Sequence, residues 1–478
     1  MFIPFIKRLI KEPICIGRVK LLEIRWPRRW TLGIRYYIPN EWRDTHIHCI
    51  GLTGSGKSTV LKNLFVQDVE AGRGCAMIDP DEDLAFGTLR SLLAAGYFGK
   101  YLGVNADSIP QFEWNQEAID RVIYFEPARQ SDWVIPFNIL NNPNFKDDEL
   151  AGHVMESFSR AWTSIKEGPR FQSVAYPALL LLIQAQKTLP ELYLLLEDVG
   201  YRLSVISAQE NKTYVKRFLE EFKLWHQTQA SNNESVTNKL TFQIFNSSVN
   251  RCMKTQANHI NTTKILDEGK VLIVSLRSLS DPIQRMFGNL ITVMFEQAAL
   301  NRPEDGGRRP FNYYLDEFQD YCANEGSATS LARILSRCRK RNFRAHLFHQ
   351  TLGQIHAHLG PALDNVGLFL SFVIGHTDAH DMIHKMKTRS EDWQDDSASM
   401  EELQKYNYWM RRRGSRRIVP LITDMPKTRY TLPKGAVEEL IKQLEQRHGV
   451  KVSLVQQDTK PVKPSHLPPP QKDWASTI

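Results

Sequence analysis

Short, nearly continuous apolar runs alternate with segments of helical periodicity along most of the chain. Apolar runs this short, set between helices, are typical of parallel strands that are buried on both faces of a sheet. Seven runs fit this description: HIHCIG from His46, CAMID from Cys75, RVIYFEP from Arg121, VLIVSL from Val271, FNYYLDE from Phe311, RAHLFHQ from Arg344 and LFLSFVIG from Leu368. The pattern predicts an α/β fold with a mostly parallel sheet covered by helices on both faces.

One long stretch departs from this alternation. Between residue 138 and about residue 265 no strand pattern appears, whereas helical segments such as LAGHVMESFSRAWTSI and YVKRFLEEFKLWHQ follow one another. Strands resume at Val271, so we expect an all-helical insertion domain within a single core. The predicted boundaries are 45–140 for the first part of the core, 141–265 for the insertion and 266–450 for the second part.

The two ends of the chain differ from the core in composition. Residues 1–44 are basic and aromatic, which fits either a small strand-rich cap on the core or a contact with nucleic acid, and we favour the cap. Residues 451–478 include PVKPSHLPPP, and a proline-rich segment of this kind is typical of an extended or disordered tail. Docking of its PxxP element onto a partner is the alternative.

Composition narrows the class of protein without identifying its activity. The chain has 478 residues, of which 42% are hydrophobic, and no apolar run approaches the roughly 20 residues that span a bilayer, so no transmembrane helix is predicted. The six cysteines are scattered without the spacing of a zinc site, which predicts reduced thiols and a cytoplasmic protein. The net charge of +8 suits a polyanionic partner, but it equally serves solubility.

The run GLTGSGKST matches the phosphate-loop pattern GxxxxGK(S/T), and it stands between a predicted strand and a predicted helix. Its glycines let the backbone curl and aim N–H groups at a phosphate. Lys57 would reach the outer phosphates, and the Ser58 hydroxyl would bind Mg²⁺. The run therefore predicts binding of a nucleoside triphosphate with Mg²⁺, and the sequence has no NKxD motif of the kind that reads guanine in GTPases, so we expect ATP. The predicted nucleotide contacts are Gly51, Thr53, Gly54, Ser55, Gly56, Lys57, Ser58 and Thr59.

A second motif supplies residues for hydrolysis. In FNYYLDEFQDY a predicted strand leads directly into Asp316 and Glu317. Asp316 would bind Mg²⁺ through water, and Glu317 would act as the general base that activates the attacking water. Gln350 ends the next strand, where its amide would sense the terminal phosphate or orient the water.

A basic cluster precedes Gln350. Three interpretations fit it: a solvated helix face, a surface for nucleic acid, or the source of an arginine finger that acts on a neighbouring subunit. Its members are Arg333, Arg337, Arg339, Lys340, Arg341 and Arg344.

Together these motifs resemble the HerA/FtsK superfamily of hexameric motors, and most closely the ATPase domain of type IV secretion coupling proteins and their TraD/TraG-like relatives. The resemblance spans roughly residues 36–450 and rests on the order of five features along the chain. They are GLTGSGKST, the acidic strand end AMIDPDEDLA, YYLDEFQDY, the stretch CRKRNFRAHLFHQTLGQ and the helical insertion.

The resemblance implies a RecA-like P-loop NTPase core, a homohexameric ring with ATP between subunits, and translocation of DNA. Relatives place an arginine eleven residues before the sensor glutamine, and Arg339 stands at that distance from Gln350. The resemblance therefore implies that Arg339 is the arginine finger that acts in trans. Arg170 is a weaker candidate for the same role. Lys57, Glu317, Gln350 and Arg339 are thus the expected catalytic residues, with Ser58 and Asp316 at the metal.

Two alternatives stay open for the cargo and pathway: a HerA-like ATPase of DNA end processing or defence, and a secretion or pilus ATPase that moves protein. Expected partners are DNA and a relaxase, a nuclease or secretion-channel proteins. The chain departs from the family where Glu82 precedes Asp83, and it lacks the transmembrane helices of anchored coupling proteins. We therefore expect a soluble form that is either free in the cytoplasm or held at the inner membrane through partners.

Overall fold

The computed structural model describes residues 12–24, 30–81, 83–161, 169–209, 213–220, 247–303, 309–322, 325–386, 399–415 and 417–453. All seven runs predicted as strands are strands. The strands are β1 (Pro13–Ile24), β2 (Trp30–Pro39), β3 (Ile47–Ile50), β4 (Gly74–Asp79), β5 (Gly99–Val104), β6 (Pro110–Trp114), β7 (Val122–Phe125), β8 (Trp133–Val134), β9 (Val271–Ser275), β10 (Phe311–Leu315), β11 (Phe343–His349), β12 (Leu368–Ser371), β13 (Asn407–Arg412), β14 (Ile418–Ile422) and β15 (Val450–Lys451).

Helices connect most of these strands. They are α1 (Lys57–Glu70), α2 (Asp83–Ala95), α3 (Gln116–Arg121), α4 (Asp147–Ala161), α5 (Pro169–Gln184), α6 (Glu191–Glu197), α7 (Val199–Ser207), α8 (Ser247–Met253), α9 (Thr262–Glu268), α10 (Asp281–Leu300), α11 (Glu325–Arg337), α12 (Gly360–Leu363), α13 (His376–Met386) and α14 (Ala436–His448). Residues 213–220 are also helical, and 3₁₀ turns form at Asn40–Thr45, Phe318–Tyr321, Cys338–Arg341, Leu352–Gln354 and Ala357–Leu359.

Eleven strands form one sheet in the order β2-β1-β14-β13-β12-β3-β11-β10-β4-β9-β7. The seven strands from β12 to β7 are parallel, and the remaining four are antiparallel. The N-terminal strands thus extend the central sheet, because Arg18 of β1 pairs with Ile422 of β14. Residues 1–11 of the predicted cap and residues 454–478 of the predicted tail lie outside the described residues.

Each parallel strand is buried on both faces, as the apolar runs predict. In β4, Cys75 and Met77 belong to one apolar cluster, whereas Ala76 and Ile78 belong to the other, because successive side chains of a strand point to opposite faces. The first cluster includes residues of α1, α2 and α14, and the second includes residues of α4, α5, α10 and α11. The sheet is therefore covered by helices on both sides.

Between residues 147 and 268, the elements that the structure describes are all helices. Within this region α4 packs against α10, which follows β9 in the core, and also against α5. Apolar residues of α4 to α7 belong to the same cluster as those of α10 and α11. The helical region therefore shares a hydrophobic core with one face of the sheet. Among the described residues, no helix is both long enough and apolar enough to cross a membrane.

A buried ion pair joins the 3₁₀ turn before β3 to α1 and β10. The Arg43 guanidinium and the Asp68 carboxylate are fully buried; their atoms Nη2 and Oδ1 lie 2.7 Å apart, and Nη1 and Oδ2 lie 2.9 Å apart. Tyr314 of β10 donates a hydrogen bond to Asp68 at 2.6 Å. Burial opposes ionisation of Asp68, but Arg43 outweighs it, so the pKa of Asp68 lies below its usual value.

We expect Asp68→Ala to lower the free energy of unfolding by about 3–5 kcal/mol, because Arg43 would stay buried without its carboxylate. Urea denaturation at neutral pH measures this change. Asp120→Ala is the matched control, since Asp120 pairs with Arg447 where both side chains are about half exposed, and it should cost less than about 1 kcal/mol. Equal losses in the two variants would contradict a special role for the buried pair.

Candidate active site

The phosphate loop connects the end of β3 to the start of α1. Its first residues are hydrogen-bonded on both sides of β3. Gly51 N donates to His349 O, at the end of β11, at 3.2 Å, and Leu52 N donates to Val373 O, just after β12, at 2.8 Å. α1 begins at Lys57, and the N-terminus of a helix favours an anion through its first backbone N–H groups and its dipole. The loop thus holds the position and direction that its sequence pattern predicts.

Two glycines of the loop are required by its shape. Gly56 has φ of 119°, in the region that residues with a Cβ rarely adopt, and it caps α1. Gly51 has no room for a side chain, because an added Cβ would lie 2.5 Å from Cβ of Phe372 and 2.9 Å from Oγ of Ser55. The loop therefore needs the backbone freedom of glycine at position 56 and the absence of a side chain at position 51.

The Lys57 side chain folds back over its own loop. Its Nζ donates to Gly51 O at 2.6 Å, and only 5% of the residue is exposed. The same ammonium lies 4.0 Å from Oε1 of Glu317. The buried Ser55 hydroxyl has no hydrogen-bond partner among the described residues. A loop with a turned-in ammonium and an unpartnered buried hydroxyl fits a bound phosphate.

Asp316 and Glu317 follow β10 and face this loop. Oδ2 of Asp316 accepts a hydrogen bond from Oγ of Ser58 at 3.2 Å. Burial and the adjacent Glu317 raise the pKa of Asp316 to about 6, although Lys57 and Ser58 oppose the rise. This hydroxyl–carboxylate pair, in which Asp316 is buried and Ser58 is exposed, fits Mg²⁺, whose preferred ligands are oxygens. Ser58 and Asp316 would hold that ion.

Glu317 is fixed by its backbone and by two amides. Its backbone has φ of 45° and ψ of 48°, a left-handed conformation that is uncommon for glutamate. Strained backbone conformations of this kind cluster at functional sites. Oε1 accepts from Nε2 of Gln350 at 2.8 Å, and Oε2 accepts from Nε2 of Gln319 at 2.8 Å. The carboxylate is therefore aimed at the phosphate loop before any ligand arrives.

Gln350 bridges the acidic strand end and the phosphate loop. Its Oε1 accepts from Oγ1 of Thr53 at 3.0 Å, and its Nε2 donates to Glu317. The structure thus brings together Thr53, Lys57, Ser58, Asp316, Glu317 and Gln350, all of them expected site residues. Their catalytic roles stay predictions.

Arg339 lies away from this group. It is an exposed residue of the 3₁₀ turn Cys338–Arg341, which precedes β11, whereas Gln350 follows that strand. The seven residues of β11 separate the two by roughly 20 Å, because a strand rises about 3.3 Å per residue. Arg339 therefore does not join the site of its own chain. Arg170 is the second residue of α5, and its side chain is outside the described residues.

Sequence reasoning left the acidic strand end at Asp79 without a role. The structure shows that this buried carboxylate accepts from Ala85 N at 2.7 Å and from Asp81 N at 3.0 Å, so it caps the start of α2. Burial is the main cause that raises the pKa of Asp79 well above its usual value. Glu82, the residue that departs from the family pattern, lies outside the described residues.

Sequence reasoning also missed two aromatic residues, Phe372 and Tyr406, that pack against the phosphate loop on the side of β12. A Cβ added to Gly56 would lie 2.9 Å from Cδ1 of Tyr406 and 3.2 Å from Cε1 of Phe372, so both rings pack against it. Tyr406 lies 350 positions after Gly56 in the chain, and no local pattern signals such a contact. The tertiary structure alone reveals it.

Comparison with known proteins places this geometry in a known fold. No protein-family model and no curated protein matches the sequence. The plasmid coupling protein TrwB in complex with the GTP analogue GDPNP superposes with a TM-score of 0.58 at 16% identity, over 83% of this chain and 89% of that one. TrwB with ADP and Mg²⁺ gives 0.58 and 16%, over 83% and 88%.

This chain has the fold of the coupling protein TrwB. The predicted fold class, a RecA-like P-loop NTPase core with a mostly parallel sheet, is thereby confirmed, and the resemblance to coupling proteins holds at the level of the fold. VirB4 of Thermoanaerobacter pseudethanolicus also superposes, with a TM-score of 0.47 and 14% identity, over 86% of this chain and 96% of that one.

Proposed function

We propose that this chain is an ATP hydrolase that works as a DNA-translocating motor within a homohexameric ring. The observation that carries the proposal is the convergence of Lys57, Ser58, Asp316, Glu317 and Gln350 at one edge of the sheet. Lys57 and Ser58 come from the start of α1, and the other three follow the ends of β10 and β11. Together they would provide a phosphate clamp, a metal site and a general base. The fold of TrwB, which has been captured with ADP and Mg²⁺, supports the same choice of ligands.

Each side chain has a distinct task in hydrolysis. Lys57 would leave Gly51 O and neutralise the outer phosphates, and the loop N–H groups would hold the phosphate oxygens. Mg²⁺ bound by Ser58 and Asp316 would neutralise charge on the phosphates. Glu317 would take a proton from the attacking water, which the Gln350 amide would orient.

We expect Glu317→Gln to lower kcat by at least about 100-fold while ATP still binds, because the amide keeps the shape of the side chain but is not a base. Phosphate release and equilibrium binding of ATP measure the two quantities. Glu325→Gln, which changes an exposed acid at the start of α11, should leave both unaffected. Unchanged turnover in Glu317→Gln would show that Glu317 is not the general base.

We expect Lys57→Ala to lose ATP binding itself, because the ammonium that neutralises the outer phosphates is removed; equilibrium binding of ATP measures this loss.

The position of Arg339 supports a shared site. Because β11 separates it from the phosphate loop of its own chain, its guanidinium is available to a neighbouring subunit. In a ring, each subunit would then complete the next subunit's site by stabilising charge on the phosphates during hydrolysis. Closure and release of this contact would couple hydrolysis to motion of the subunits.

We expect Arg339→Ala to lower turnover by roughly 10³-fold or more, as loss of an arginine finger does. Coexpression of Arg339→Ala with Lys57→Ala chains should restore measurable turnover, because some interfaces would pair an intact Lys57 with an intact Arg339. Lys340→Ala, an exposed neighbour, is the matched control and should keep full activity. Failure of the mixture to recover any turnover, with oligomers intact, would exclude Arg339 as a finger acting in trans. Full turnover in Arg339→Ala alone would instead bring Arg170 forward.

DNA is the proposed cargo. TrwB is a conjugative coupling protein by its name, and the net charge of +8 on this chain suits a polyanion. We place the motor in conjugative DNA transfer, with a relaxase and secretion-channel proteins as partners and the inner membrane as the place where it meets them. The following experiment distinguishes this proposal from export of protein; a role in DNA end processing with a nuclease is the alternative that shares the same cargo.

We expect single- or double-stranded DNA to stimulate ATP turnover severalfold, and we expect the stimulation to fall steeply between 50 and 200 mM salt because phosphate contacts release counterions. Phosphate release with and without DNA, together with the mass of the assembly, tests this. An engine of protein export would show no stimulation. A constant rate at all DNA concentrations would therefore contradict the proposed cargo while leaving the ATPase intact.

A further inference from the structure

Tyr406 is fastened to the phosphate loop by its backbone. Its N–H donates to Ser55 O at 2.7 Å, and its carbonyl oxygen accepts from Thr423 N at 2.8 Å and from Thr423 Oγ1 at 3.1 Å. These bonds hold the residue at φ of 70°, a left-handed conformation that bulky side chains rarely adopt. A strained backbone conformation that its surroundings enforce marks a position where the direction of the side chain matters.

The Tyr406 ring lies beside the loop and remains partly open. The ring packs near Gly56, where an added Cβ would meet its Cδ1 at 2.9 Å. The residue is half-buried, and the exposed Lys405 ammonium lies 5.1 Å from the ring centroid. The side chain of an exposed lysine is flexible and can leave at little cost. The ring therefore offers a π-face next to the residue that precedes Lys57.

The direction of a bound nucleotide can be derived from the order of the strands. Glu317 and Gln350 follow β10 and β11, which lie on one side of β3, so the phosphate that is cleaved must point to that side. The other end of the nucleotide must then extend toward β12 and β13 on the opposite side of β3. Tyr406 immediately precedes β13, about 10 Å from β3 when strands are spaced about 4.8 Å apart.

We propose that Tyr406 is the stacking platform for the nucleobase of the bound triphosphate. The inference rests on the proposed ATPase function and adds the part of the site that holds the base. Stacking on an aromatic ring recognises a planar base by its π-face. The loop holds the phosphates, and the same loop fixes the ring, so both ends of the nucleotide are bound by elements in direct contact.

The experiment compares ATP with inorganic tripolyphosphate, each with Mg²⁺, by isothermal titration calorimetry on the full chain. Tripolyphosphate carries the charge of the nucleotide tail but has no base. We expect Tyr406→Ala to weaken binding of ATP by at least about fivefold, as loss of one base–aromatic stack does, and to leave the affinity for tripolyphosphate within twofold. Tyr406→Phe keeps the ring and should bind both as the wild type does.

The other outcomes overturn the inference in distinguishable ways. Equal weakening of ATP and tripolyphosphate by Tyr406→Ala would mean that the ring only supports the loop, and an unchanged affinity for both would mean that the base lies elsewhere. Tyr430→Ala, which removes another half-buried tyrosine beside Gly96, should change neither affinity. A wild-type chain that binds neither compound would contradict the proposed function itself, and this inference with it.

Discussion

The candidate site depends on the parallel pairing of β4, β10, β11, β3 and β12 in one register. Leu315 pairs with both Ile78 and Leu347, and His349 pairs with Ile50, so the residues that follow these strands emerge at the same edge of the sheet. Because successive side chains of a strand point to opposite faces, a slip of one residue would turn the site residues to the other face. Burial on both faces prevents that slip, since it would have to rearrange both apolar clusters.

Polar groups inside the core hold the edge in place. Asp68 receives Arg43 from the turn before β3 and Tyr314 from the strand that leads to Asp316, so one buried carboxylate links the two strands that carry the phosphate loop and the acidic pair. Asp79 caps α2 from the end of β4. A buried charge is costly unless it is paired, which makes these contacts specific to one arrangement of the strands.

The described residues of the site provide a phosphate clamp, two carboxylates and an amide, and two arginines of the predicted cluster lie away from it. Arg339 stands at the other end of β11, and Arg344 is mostly buried with Asp44 and Asn40 as partners. Of the three interpretations of the basic cluster, a solvated face therefore fails for Arg344, which serves the packing of the core. In the proposed assembly each chain would complete the site of its neighbour, and Arg339 would then act at the subunit interface, a role that it does not have within a single chain.

The sequence by itself determined the seven parallel strands, the class of fold and the residues at the carboxyl ends of β10 and β11, because those features depend on local periodicity and on short motifs. Asp316, Glu317 and Gln350 were each visible as polar residues after an apolar run. Only the tertiary structure decided that the N-terminal strands extend the central sheet, that Asp79 caps a helix and that Tyr406 closes the phosphate loop. Such contacts join residues far apart in the chain, and their energy comes from the close packing of particular surfaces, which no local pattern encodes.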